Sequence, residues 1–566
     1  MPHVITQSCC NDAACVSACP VDCIHPSPGE PGYRTAEMLY IDPATCVDCG
    51  ACVDVCPVDA ISPDAALGEE SRAFIELNRL HFSGRSYPRR DLPLPPAPMT
   101  VTEREPLRVA VVGAGPAAMF AVESILSRRG LEATVDVYER LPVPYGLARF
   151  GVAPDHLRTK RVIGQFERAA SRRGVTFHFN TRVGRDITHE QLATSHHAVL
   201  YAVGAPSDRR LEVPGEDLPG SHPATHFVGW YNGHPDHSGH EFNLSHPRAV
   251  VIGNGNVALD VARILVSDVD SLRRTDISGR ALGLLAQSAV EEVLVVGRRG
   301  VEHSAYTTKE LVELDHLAGV NVLAHSRETT VDAATSVALN KHGNEQLRFK
   351  IDIAQRYAGR VRSPERKAIT LRYLASPVEI LGSDRVTGIR LERNEIRDDA
   401  GNHRAVGTGE IEQIDCGLVL RSIGYSGDPV PGVPFDVATR RIPNESGRVV
   451  DPRGETIPGI YTAGWIKRGP SGVIGTNKTC AAETVNAIVD DYLSGLLSTP
   501  SSPPPAVGVE AFGWDGWLAI DAYERSAGGR ERPREKVVDW PKLVELATAG
   551  AAIDVPARGT DRMAPW

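Results

Sequence analysis

The chain has 566 residues, 42% hydrophobic and 23% charged, with a net charge of −10; that is too long for one core and too apolar for disorder, so three or four folded domains are expected. The amino terminus, MPHVITQSCC, has no basic n-region or apolar h-region, and no apolar run approaches the roughly 20 residues of a membrane span, which points to the cytosol. From residue 1 to 62, eight acidic residues face only Arg34, which excludes a nucleic-acid partner and suits docking onto a basic patch of another protein.

Nine of the eleven cysteines lie within the first 56 residues, where a cytosolic chain uses them for metal or redox sites rather than disulfides. Ala14-Cys15-Val16-Ser17-Ala18-Cys19-Pro20-Val21-Asp22 returns as Ala51-Cys52-Val53-Asp54-Val55-Cys56-Pro57-Val58-Asp59, preceded by Cys46 and Cys49 at two-residue spacing. Three thiolates so spaced wrap one iron–sulfur cube, and a Cys-Pro from the opposite repeat supplies the fourth ligand. Cys19, Cys46, Cys49 and Cys52 are therefore expected to hold a [4Fe–4S] cluster. In the first repeat Asp12 stands where the pattern asks for a cysteine. Either Cys9, Cys15 and Cys56 hold a [3Fe–4S] cluster, or Asp12 completes a [4Fe–4S] cluster; the former is favoured because a hard carboxylate matches iron–sulfur iron poorly. Cys10 could replace Cys9, which fits the spacing better.

Residues 63–106 read as a linker, with Asp91-Leu-Pro-Leu-Pro-Pro-Ala-Pro98 as an extended spacer. Leu107–Val112 is then a buried parallel strand running into Gly113, Ala114, Gly115 and Ala118, a glycine turn that opens a helix. The next strand, Thr134–Tyr138, ends in Glu139, which accepts from a ribose diol and repels a 2′-phosphate; this site suits FAD or NAD. A second unit begins at Ala249–Ile252 with Gly253, Asn254, Gly255, Asn256 and Val257. Its following strand, Glu292–Val296, ends in Arg298 and Arg299, which can fork onto a 2′-phosphate and so select NADP.

Tyr145–His156, the Gly297–Gly300 turn and Ala463–Thr476 closely resemble the adrenodoxin-reductase-like ferredoxin–NADP reductases, over roughly residues 107–500. The first 62 residues resemble a seven- or eight-iron bacterial ferredoxin. The resemblance implies an α+β ferredoxin module followed by an α/β flavoprotein of two Rossmann-like, glutathione-reductase-like domains. The expected boundaries are ferredoxin 1–62, linker 63–106, FAD domain 107–206 and 371–500, NADP domain 207–370 and tail 501–566, with the return crossing near 371–376. It further implies Ala114, Glu139, Leu147 and Val183 around the FAD adenylate and ribose, and Trp465, Gly472, Val473 and Ile474 around the flavin ring. Asn254–Val257, Arg298, Arg299 and Glu310 would hold NADP, with Arg209 near its phosphates. His156 and Glu310 are the candidates for tuning protonation beside the flavin, and Cys23 would be a free thiol by the second cluster.

The activity so implied is hydride transfer from NADPH to FAD and release of single electrons through the clusters to an external ferredoxin or cytochrome P450, by a monomer and reversibly in principle. Two rivals are an electron-input subunit like the small subunit of glutamate synthase, and a non-enzymatic sensor of the nucleotide ratio. With Cys416 and Cys480 far apart and no CxxC after the first glycine turn, a disulfide reductase is not expected.

Overall fold

The computed structural model describes residues 2–88, 105–331, 336, 337, 339, 345–399 and 402–550. The amino-terminal module is built twice over: His3–Ile5 pairs with Ile61–Pro63, Ile24–His25 pairs with Tyr40–Ile41, and two short helices, Ala14–Ala18 and Ala51–Asp54, follow the glycine- and cysteine-rich turns. Such a module has little core of its own. A third helix, Ala73–His81, buries Phe74 and Leu77 against it. Its Asn78 joins the two hairpins, accepting from Ile5 N (3.3 Å) and Ile41 N (2.9 Å) and donating to Ile5 O (2.8 Å). The expected linker thus begins with a piece of the module, and the proline-rich stretch 91–98 lies outside the described residues.

Beyond residue 105 the described residues form two larger sheets. The first runs Asn444–Glu445, Arg448–Val450, Thr456–Thr462, Ala198–Tyr201, Leu107–Val112, Ala133–Tyr138, Val175–His178, and its central strands are parallel. The second runs Ser221–Pro223, Leu418–Arg421, Arg248–Ile252, Glu292–Val296, Lys367–Arg372, Val320–Ala324, parallel throughout. In both, the strand leading into the glycine turn is buried on its two faces, as its continuous Val/Ile/Ala run requires.

The return crossing differs from expectation. Lys367–Arg372 belongs to the second sheet, and Ala375–Leu381 enters a three-stranded antiparallel sheet with Gly388–Asp399 and Asn402–Asp415. Leu418–Arg421 then re-enters the second sheet. The chain leaves the first sheet through Ser207–Asp208 and comes back through Tyr425–Ser426, and these two connectors pair antiparallel. The four apolar-to-basic residues at 418–421 are too short to announce a core strand.

The final segment is also more than a tail. Helices Trp514–Gly528 and Trp540–Gly550 pack on each other, and Phe512 bridges Phe179. Trp517 is fully buried, edge-on to Tyr145. Buried Glu524 accepts from Arg149 (2.6 Å) and Arg534 (3.1 Å).

Candidate active site

At the first glycine turn Gly113 takes φ 103°, and a Cβ there would stand 2.6 Å from Ala202 O, so only glycine lets the strand end meet its neighbour. Gly115 caps the helix Pro116–Leu126, in which Ala118 is buried. Glu139, 8% exposed, accepts from Ala114 N (2.7 Å) and Leu141 N (2.9 Å); burial nevertheless holds its carboxyl above the usual range. Leu147 opens the turn Leu147–Phe150, and Val183 packs with the Val112 and Tyr138 side of the first sheet.

The second turn repeats the geometry. Gly253 has φ 122° and Gly255 caps Asn256–Val266. Asn254 O accepts from Tyr306 N (2.8 Å) and Asn256 Oδ1 from Thr307 N (2.7 Å), which ties this turn to the segment leading to Glu310; Val257 lies partly buried behind it. Arg298 is exposed and Arg299 half-buried, and among the described residues neither guanidinium has an ion-pair partner. Arg209 lies exposed beside Gly424, next to the connector pair.

His156 and Glu310 come together. His156 Nε2 lies 3.2 Å from Glu313 and 4.0 Å from Glu310, and Nδ1 lies 4.0 Å from Asp260. Burial and the Arg263 guanidinium oppose charging the ring, but the Glu313 hydrogen bond and the Glu310 and Asp260 charges prevail and raise its pKa to about 9. Burial pushes Glu310 upward. Trp465 Nε1 is buried with no hydrogen-bond partner among the described residues, and its ring lies 5.2 Å from that of Tyr425. Gly472 is left-handed (φ 78°), and Val473 N donates to Thr476 Oγ1 at the start of the helix Thr476–Leu493, two residues beyond Ile474.

Two small cavities separate the cysteines into sets. Cys9, Cys10, Asp12, Cys15 and Cys56 line one; Cys19, Cys23, Cys46, Cys49 and Cys52 line the other. Cys23 Sγ lies 3.4 Å from Cys19 Sγ. The first cavity is turned to the reductase side. Gly475 N donates to Cys10 O (2.6 Å), and a Cβ on Gly475 would collide with the Asn11 carbonyl at 2.1 Å. Buried Lys309 donates to Gln7 O and Cys9 O (3.0 Å each), and Lys478 to Asp12 O (3.0 Å). Asp12 Oδ2 accepts from Gln165 (3.1 Å), Thr308 N donates to Glu37 (2.7 Å), and Arg161 pairs with Asp59. The second set faces outward, with Cys49 and Val47 exposed.

The residues fit the groups their chemistry calls for. The soft thiolate sets surround two cavities, the buried Glu139 sits at the first glycine turn, an indole N–H with no partner among the described residues lies beside Tyr425, and two guanidiniums with no ion-pair partner among the described residues end the second turn. Sequence reasoning missed Gln7, Lys309 and Lys478, whose contacts cross the module boundary, and Glu313 and Asp260, which meet His156 from elements more than a hundred residues away, because no local pattern announces either.

An oxidoreductase that joins a pyridine nucleotide to iron–sulfur groups is the class this arrangement defines. The family model described as pyridine nucleotide-disulphide oxidoreductase matches residues 107–475, and that described as 4Fe-4S binding domain matches 39–62. A probable ferredoxin/ferredoxin–NADP reductase of Mycobacterium tuberculosis is 47% identical over 97% of this chain and 95% of its own length. The mitochondrial NADPH:adrenodoxin oxidoreductase of Salvelinus fontinalis is 41% identical over 80% of this chain and 93% of its own. The structure of Mycobacterium tuberculosis FprA in complex with NADPH superposes with a TM-score of 0.73 at 42% identity, covering 78% of this chain and all of that one. The chain belongs to the fused ferredoxin/ferredoxin–NADP reductase family. The disulphide of the family description has no counterpart here: Cys416 is buried, and Cys480 accepts from Gly464 N.

Proposed function

We propose that the chain oxidises NADPH and hands the electrons singly to an external protein, with the first cysteine set as the inner relay and the second as the outlet. The observation carrying this is the seating of Cys10–Asp12 on Gly475, at the end of the loop that cradles the flavin by resemblance. When bound, FAD supplies hydride acceptance and the clusters supply one-electron storage. The chain's residues do the rest. Glu139 would hold the FAD ribose, Arg298 and Arg299 the NADP 2′-phosphate, and Lys309, Gln165 and Lys478 keep the first set against the cleft.

The first set is read as a three-iron site on Cys9, Cys15 and Cys56, since the Asp12 carboxylate is engaged by Gln165 and lies 3.6 Å from Lys478. Cys19, Cys46, Cys49 and Cys52 would hold four irons. The outlet face, with exposed Val47, Asp48, Asp54 and Val55, suits an acceptor whose apolar contact is rimmed by basic residues, such as a cytochrome P450 or a separate ferredoxin. We read residues 107–206 and 427–500 as the flavin domain and 207–424 as the nucleotide domain. The test is NADPH-driven reduction of ferricyanide and cytochrome c by purified protein. Both are expected, and absence of both would remove the enzyme reading.

A further inference from the structure

The amide of Gln7, in the ferredoxin module, reaches into the cleft. Its Nε2 lies 3.3 Å from His156 Nε2 and donates toward both oxygens of Glu310 (3.4 and 3.5 Å), while its backbone carbonyl accepts from Lys309. Gln7 is nine-tenths buried there. Nicotinamide also carries a primary carboxamide, with the same donors and acceptor as Gln7. One buried acid and one imidazole can serve one such group at a time.

We propose that Gln7 and the nicotinamide end of the dinucleotide take His156 and Glu310 in turn, so that dinucleotide binding loosens the first-cluster face and its departure lets that face reseat. This rests on the reading that Glu310 holds NADP. Hydride delivery and close seating of the inner relay would then alternate, and Gln7 is a positioning residue that competes with the cofactor.

Hydrogen exchange on the full-length protein tests this, with NADP⁺ as the added ligand. NADP⁺ is expected to protect the Asn254–Val257 and Arg298–Arg299 peptides while speeding exchange at Gly475, whose N–H is bound to Cys10 O. Gln7→Ala should tighten NADP⁺ about threefold, because a competitor that lowers the binding-competent fraction is removed; the flavin difference spectrum reads this. Protection of the second glycine turn with Gly475 unchanged or slowed, or an unaltered affinity in Gln7→Ala, overturns the proposal. No protection at Asn254–Val257 or Arg298–Arg299 overturns it together with the reductase reading.

Discussion

His156 is met by four elements: the turn it sits in, Asp260 on the second-fold helix, Glu310 and Glu313 on the helix Thr308–Leu314, and Gln7 from the ferredoxin module. Its folded pKa of about 9 lies above the ordinary 6.5, so the stabilisation from its ion pairs is complete below pH 6.5 and fades as pH rises through about 9. Thermal unfolding midpoints of the wild type should therefore fall across that window, and His156→Gln should flatten the fall. A slope unchanged in the variant would assign it elsewhere. The tyrosine–histidine motif made His156 visible in the sequence, but its charge partners come from residues more than a hundred positions away, so its protonation state was not.

At the scale of elements, the helix Ala73–His81 and the last two helices hold parts together that the sequence left separate. Asn78→Ala would strip the partners from Ile5 N and Ile41 N between the module's two hairpins, costing about 3 kcal/mol for the buried unsatisfied groups. Iron–sulfur absorbance should bleach at a lower urea concentration than in the wild type, with flavin release unmoved. Glu524→Ala would leave Arg149 buried without its acid, while Arg534 keeps Asp521 at 2.8 Å, a loss of about 3 kcal/mol, and here flavin release on heating should come earlier. The glycine turns, their strands and the acid or arginines that follow could be read directly, because each is contiguous and its chemistry local. The helix at 73–81 hid in a stretch dominated by its proline-rich end, and the short strand Leu418–Arg421 hid because four residues carry no period.

Across the whole molecule, paired connectors at Ser207–Asp208 and Tyr425–Ser426 join the two sheets, and Asp276 braces them further by accepting from Lys160 and Lys536, which hold its carboxyl far below the usual range against the cost of burial. The ferredoxin module sits over the cleft between the sheets, its first cysteine set inward. Lys478→Glu would set a carboxylate against Asp12; ferricyanide reduction should persist while cytochrome c reduction falls about tenfold, from like-charge repulsion at the seat.

Rapid freeze-quench EPR after anaerobic mixing with NADPH reads the order of the two cysteine sets most directly. The signal of the Cys9, Cys15 and Cys56 cluster should change first, within the first turnover, and that of the Cys19, Cys46, Cys49 and Cys52 cluster after it. A second-set signal that moves first, or neither signal moving while NADPH is consumed, would contradict the account.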